Sequence, residues 1–240
     1  MLIFIGDVHG EFKDLATKLV RSNVRESSFI QVGDFGVGFR KKEVESNELD
    51  VLNSVLIAGN NHLCVIRGNH DNPKYFRTSS GYSNITFFED YTVFEIEGQT
   101  ILLAGGAISI DRMVRILDVS YWRGEAFRYD EPLLKRRVNG VNKIDIVVTH
   151  NAPMEFWPTE FNRLVLGYAL RDGTLLEELR KERYRHTQLM NFLIRNKLKP
   201  KHWYYGHYHT RNDARYKGIR YRALDCLEMF EHAGQKNILL

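Results

Sequence analysis

Five short segments of this chain set a glycine or threonine beside side chains that can hold metal ions or move protons. In order they are Gly6-Asp7-Val8-His9-Gly10, Gly33-Asp34-Phe35-Gly36, Arg67-Gly68-Asn69-His70-Asp71, Thr149-His150-Asn151 and Gly206-His207-Tyr208-His209. Together they offer carboxylates, an amide oxygen and several imidazoles, but no thiolate. A mixed oxygen and nitrogen set of this kind suits borderline divalent ions such as Mn, Fe, Zn, Co or Ni, with Mn favoured. Oxygen-only Ca or Mg sites use fewer histidines. The donors also outnumber what one ion needs once positions are reserved for water and substrate. Two divalent ions sharing a carboxylate fit the inventory better.

Each segment follows a stretch that reads as a strand: Leu2 to Ile5, Phe29 to Val32, Leu63 to Ile66, Ile144 to Val148 and Trp203 to Tyr205. Ligand-binding groups of α/β sheets gather at the carboxyl ends of strands, so five such deliveries are hard to explain by packing alone. Between the strands, Phe12 to Val20 reads as an amphipathic helix, and a second helix from about Val44 to Ala58 stops near Gly59. Runs at Ile85 to Phe88, Thr92 to Ile96 and Thr100 to Ala104, with no helix between the last two, predict antiparallel pairing. Thr174 with Glu177 predicts a capping box opening a long helix to about Arg195, and Ile219 to Leu224 reads as a further strand. The alternation predicts a layered α/β fold, two sheets packed as a sandwich with helices outside. No repeat, low-complexity tract or proline-rich hinge divides the chain, so a single domain over residues 1–240 is expected.

Hydrophobic residues make up 43% of the 240 and charged residues 27%, enough for a substantial core and against disorder. A net charge of +4 and a pI near 9.0 suit an anionic substrate. The basic residues are scattered, with the densest groups at Arg40 to Lys42, Lys135 to Arg137 and Arg180 to Arg185, so nucleic acid is not the favoured partner. Two cysteines, Cys64 and Cys226, form neither a disulfide framework nor a Cys-x-x-Cys knuckle, which suits a reduced, intracellular chain. The first strand runs from Leu2 directly into Asp7 without room for a signal peptide, and no apolar run approaches a membrane span. A cytoplasmic location with no membrane partner is expected.

The five segments, in this order and each after a strand, resemble the motif series of the calcineurin-like metallophosphoesterase superfamily, in its bacterial or phage form. They extend from Gly6 to His209. The resemblance implies a four-layer α/β/β/α sandwich of two mixed sheets flanked by helices. It implies that Asp7, His9 and His209 hold one metal and Asn69, His150 and His207 the other, with Asp34 bridging both. A water activated between the ions would attack a phosphate ester, with His70 protonating the leaving oxygen as general acid. Arg67 resembles the arginine of the Arg-Gly-Asn-His signature in Ser/Thr phosphatases and would grip the phosphate.

The chain departs from that phosphatase subgroup after Asp34, where Phe35, Gly36, Val37 and Gly38 replace a further Asp and Arg. Asp71 is expected to stand in as the carboxylate that orients His70, and Arg40 or Arg112 as the second phosphate-binding arginine. The stretch from Gly105 through Asp111-Arg112 to Tyr121-Trp122-Arg123 is similar to a loop of bacterial and phage members. It is expected to wall the substrate pocket, with Arg112 on the phosphate; a surface loop carrying a structural ion pair is the alternative. Phe156, Trp157 and Phe161 either form an aromatic lid or, the expected role, pack against the body. His62, His186, His202, His232 and Cys64 read as ordinary structural residues.

The leading functional reading is hydrolysis of a phosphomonoester borne by a protein side chain or a small metabolite, supported by Arg67 and the phosphatase-like first and third motifs. The basic pI and the residues missing after Asp34 keep a phosphodiesterase or nuclease open. A non-catalytic scaffold is disfavoured, because every expected ligand and His70 are present.

Overall fold

Alternation along the first strand already separates two environments. In β1 (Leu2–Ile5), Leu2 and Phe4 point into one apolar cluster while Ile3 and Ile5 point into another. The computed structural model, which describes residues 1–77 and 81–238, continues that division through the molecule. After α1 (Phe12–Ser22) come β2 (Ser28–Gln31), α2 (Lys42–Ala58), β3 (His62–Val65), β4 (Ile85–Phe87), β5 (Thr92–Ile96) and β6 (Gln99–Ala104). Then follow α3 (Glu131–Arg137), β7 (Ile146–Thr149), α4 (Arg163–Ala169), α5 (Leu175–Arg195) and β8 (His202–Tyr205). The described chain closes with β9 (Asn212–Tyr216), β10 (Ile219–Ala223), β11 (Met229–Glu231) and β12 (Lys236–Asn237).

The strands form two mixed six-stranded sheets, ordered β12-β11-β1-β2-β3-β4 and β5-β6-β7-β8-β10-β9. In the first sheet β1 to β4 run parallel; in the second β6, β7, β8 and β10 do. Between the sheets lies a core of Leu2, Phe4, Ile30 and Val32 against Ile101, Ile146, Val148 and Tyr204. The outer face of the first sheet packs Ile3, Phe29 and Leu63 on Leu15, Leu49 and Leu52 of α1 and α2. The outer face of the second packs Leu102, Val147 and Trp203 on Leu134 of α3 and Leu189, Met190 and Leu193 of α5. Helix, sheet, sheet and helix make the expected four layers.

Two local expectations are corrected. The runs at 85–88, 92–96 and 100–104 do not share one antiparallel sheet. β4 lies parallel to β3 at the edge of the first sheet, and only β5 and β6 form a hairpin, at the edge of the second. Residues 66–84 supply the crossover that parallel pairing demands, while Glu97 and Gly98, at φ 51° and 73°, supply the left-handed turn of a tight hairpin. The capping box at α5 does not form either. Thr174 takes the N-cap position, but its hydroxyl donates to Asp172 at 2.9 Å and accepts from Arg112 at 2.9 Å. Elements too short to carry a periodic signal were not expected at all. One of these, α3, opens where Asp130 accepts from Leu133 N at 2.8 Å, with Pro132 in the first turn.

Phe4 is fully buried and stacks on Tyr204 of the opposite sheet, with centroids 3.7 Å apart and planes 14° from parallel. Phe4→Ala is expected to lower unfolding free energy by about 3–5 kcal/mol in denaturant titrations. A loss of only a few tenths would show that this contact does not bind the sheets together.

Candidate metal centre

The carboxyl ends of β1, β2 and β3 meet those of β7 and β8, and the polar residues beyond them converge. His209 Nε2 lies 3.3 Å from Asp7 Oδ2 and 2.9 Å from His9 Nε2, and His9 Nδ1 lies 3.9 Å from Asp34 Oδ2. His150 Nε2 lies 3.2 Å from Asp34 Oδ1 and 3.2 Å from Asn69 Oδ1, and the rings of His150 and His207 are 5.0 Å apart. Asp7, His9, Asp34 and His209 form one group and Asp34, His150 and His207 another, with the ligand atoms of each within 4.8 Å of one another. Asp34 belongs to both. All seven residues expected as ligands are therefore brought together, Asn69 joining the second group through its amide oxygen.

The backbone is bent to achieve this. His9, Asp34, His207 and His209 hold φ values of 52°, 56°, 72° and 48°. This left-handed region costs a non-glycine residue on the order of 1 kcal/mol. Glycines permit the close approach: a Cβ on Gly68 would fall 2.1 Å from Asp34 Oδ1, and one on Gly206 would fall 2.0 Å from Asp7 Oδ1. Outer contacts aim the ligands. A carbonyl can only accept, so the 2.9 Å contact of His150 Nδ1 with Val32 O places a hydrogen on Nδ1 and turns Nε2 inward. Asn69 donates its amide to Ser109 Oγ at 3.2 Å, and Ser109 donates to the buried Glu125 at 2.9 Å, which turns the Asn69 oxygen toward His150.

Buried carboxylates set the electrostatics. Burial opposes the charge of Asp34, but the His150 and His70 imidazoles outweigh it and hold the carboxyl well below its usual range. Burial likewise lowers His150, yet Asp34 lifts it to about 9; hydrogen bonds to Asp7 and Cys226 lift His209 to about 10. Burial, reinforced by the neighbouring His150, drives His207 well below its ordinary value. The centre thus demands positive charge, and its imidazole, carboxylate and amide donors fit a divalent ion as the supplier of it.

The remaining expected residues are placed differently from one another. His70 borders the centre: its backbone N–H donates to Asp34 Oδ1 at 2.6 Å, and its ring stands edge-on to His9, 4.8 Å away. Phe39 stacks on it at 5.5 Å, and Trp122, nearly buried, meets Phe39 edge-on at 4.7 Å, so the loop containing Trp122 does wall this side. Burial lowers His70 to about 4.

Asp71 does not orient His70. Its carboxylate accepts from the backbone N–H groups of Phe35, Gly36, Val37 and Gly68 at 2.7–3.1 Å, which locks the loop after β2 to the loop after β3. Arg67 does not point a free donor at the centre. Its five N–H groups match five bonds, two to Asp90 Oδ2 and one each to the carbonyls of Gly124, Glu125 and Ala126. Arg112 is held by Asp172, Glu178 and Thr174, and Arg40 by Glu48 and Glu11, so the structural ion pair is the role observed for both.

Sequence reasoning missed Arg115. Its Nη2 lies 2.6 Å from His70 Nε2 and its Nε 2.7 Å from Asp111, with the side chain largely buried. It stands three residues beyond Arg112 in the same arginine-bearing loop, which was the one available signal. The aromatic segment packs against the body, with Phe156 fully buried and Trp157 and Phe161 half-buried against core clusters. The latter two also line a groove of about 510 Å³ with Asn151, Tyr208 and the ligand-set residue His207.

A family model described as calcineurin-like phosphoesterase matches residues 1–211. No curated protein matches the chain. Among solved structures, a putative 5'-nucleotidase from Staphylococcus aureus aligns with a TM-score of 0.51 at 14% identity, covering 98% of this chain and 52% of that one. This chain therefore spans about half the length of that structure. GAP50, the anchor in the inner membrane complex of Plasmodium, aligns at 0.50 with 11% identity over 93% of this chain and 71% of its own. A phosphopantetheinyl hydrolase from Mycobacterium tuberculosis aligns at 0.46 with 14% identity, covering 94% and 90%. At such identities the likeness bears on the fold alone. No helix among the described residues is long and apolar enough to cross a membrane.

Two outcomes follow from the geometry. Asp34→Asn is expected to impair binding of metal at both ligand groups, whereas His70→Ala leaves metal content near that of the parent, as elemental analysis would reveal; equal losses in both variants would contradict the assignment. Arg67→Ala breaks a buried ion pair and three carbonyl contacts, so it is expected to cost about 3–5 kcal/mol of stability. Inhibition by inorganic phosphate is expected to stay unchanged in that variant under conditions where it remains folded.

Proposed function

This chain belongs to the calcineurin-like phosphoesterase family, and we propose that it hydrolyses a phosphomonoester at two divalent ions bridged by Asp34. The observation that carries this reading is the sharing of Asp34 between two convergent ligand groups drawn from both sheets. Two ions so held would acidify a water for in-line attack and neutralise charge on the phosphate oxygens. Mn is the ion we favour. Free thiols at Cys64 and Cys226 fit a reducing cytoplasm.

The chain's own groups account for the rest. Arg115, although paired with Asp111 at 2.7 Å, is the arginine set against His70 beside the centre, whereas Arg67 and Arg112 are engaged elsewhere. An arginine always carries its protons, so the His70 Nε2 facing it accepts and the ring is neutral in this arrangement. A phosphate that draws the Arg115 donors to itself would free His70 Nε2 to take up a proton from solvent and pass it to the leaving oxygen. The groove beside His207, walled by Trp157, Phe161 and Tyr208, supports a leaving group with a sizeable apolar or aromatic part. The phosphorylated partner is then a small metabolite or an aromatic-bearing phosphoprotein segment. A phosphodiesterase would use the same ions, but the second ester arm would forfeit the charge that makes Arg115 useful.

With Mn supplied, p-nitrophenyl phosphate is expected to turn over with higher kcat/KM than bis(p-nitrophenyl) phosphate. Arg115→Ala should lower the monoester kcat/KM by about 10²-fold and the diester value much less. A diester preference in the parent protein, or equal losses on both substrates, would overturn the monoester reading.

A further inference from the structure

A third set of ligand atoms converges beside the two that share Asp34. One ring nitrogen each from His9 and His209 and the Cys226 sulfur lie within 4.8 Å of one another. The sequence pattern gives no hint of this, since Cys226 sits outside the five motif segments, between Asp225 and Leu227.

The return from β10 to β11 puts the thiol there. Leu227 N donates to Asp7 O at 2.9 Å, Gly6 N donates to Glu228 O at 3.0 Å, and Leu227 itself turns left-handed at φ 53°. The buried Glu228 carboxylate accepts from Asp225 N at 2.9 Å and from Arg222 at 2.5 Å. A Cβ on Gly6 would fall 1.8 Å from Asp225 O, so this loop lies directly on the strand end that delivers Asp7. The position of the sulfur is therefore set by the same backbone that sets Asp7 and His9. Cys64 differs: it is buried in the core between the sheets, whereas Cys226 is exposed at the mouth of the centre.

We propose that Cys226 is a thiolate ligand to the ion held by Asp7, His9 and His209. The inference rests on the metal-centre reading above and refines it. On binding, the sulfur gives up its proton to solvent and adds to the two imidazole nitrogens, the Asp7 carboxylate and the shared Asp34 carboxylate. That set is softer than the amide, carboxylate and imidazole donors of Asn69, Asp34, His150 and His207. The two positions consequently prefer different ions: Zn, Co or Fe beside Cys226, and a harder ion such as Mn beside Asn69.

Cobalt(II) titrated into the full chain reports the thiolate directly. The cobalt protein is expected to show a near-ultraviolet sulfur-to-cobalt charge-transfer band along with its visible ligand-field bands. Cys226→Ser should abolish the charge-transfer band, retain the ligand-field bands and weaken zinc binding by at least about tenfold. Cys64→Ala should keep the band. Cobalt bound without the band in the parent, or a band surviving in Cys226→Ser, overturns the thiolate assignment and leaves the metal centre intact. Failure to bind cobalt at all overturns both. As a check independent of substitution, cobalt or zinc loading should slow alkylation of Cys226 by iodoacetamide; an unchanged rate in the loaded chain overturns the assignment.

Discussion

A carboxylate withdrawn from water must find positive charge or hydrogen-bond donors close by, and Asp34 meets that requirement at the seam between two sheets. It leaves the first sheet one turn beyond β2, adopts a left-handed backbone, and accepts the His70 N–H at 2.6 Å while facing His150 of the second sheet at 3.2 Å. The apolar core between the sheets brings the two layers into register, and this carboxylate ties their edges together where that core ends. Its position in both ligand groups follows from the same placement. The centre is therefore a product of the sandwich itself, since neither sheet alone carries a complete set of donors.

Loops that carry such a centre lack ladders to satisfy their backbone, and buried charged side chains take over that task. Asp71 accepts four backbone N–H groups and joins two ligand loops. Arg67 donates to three successive carbonyls from Gly124 to Ala126, and Arg183 donates to those of Ala152, Pro153, Phe156 and Pro158. Glu182 accepts from Ile108 N, Phe127 N and the Asn151 amide. Of these, Asp71 and Arg67 look chemical in a sequence because they flank a motif. Their hydrogen-bonding capacity is consumed by the scaffold, and what they do there is set geometry.

Arg115 and Cys226 carry the converse lesson. Each reaches the centre from a loop without a metal-ligand signature, one against His70 and the other against His9 and His209. With them the two halves of the centre differ in kind: a sulfur and exposed imidazoles on one side, an amide and fully buried imidazole on the other. Such asymmetry gives a two-ion site a means of holding unlike ions in fixed places.

The linear order of residues made the layered fold and the seven converging motif residues legible, because strands and the polar turns after them are local signals. Short branched and aromatic runs marked β1, β2, β3, β7 and β8, and a polar turn after each marked the candidate ligands. Short elements such as α3 and β12 escaped because too few residues express a period there, and β9 because its Asn-Asp-Ala-Arg-Tyr run lacks branched residues. The strand β4 was misread because its pairing partner lies outside any local window. Tertiary structure alone decided which arginine faces His70, since Arg67, Arg112 and Arg115 share one residue type and differ only in the acceptors that surround them. It alone brought Cys226 to His9 across more than two hundred residues, because contacts of that kind depend on how strands cross between layers, and residue spacing does not encode that crossing.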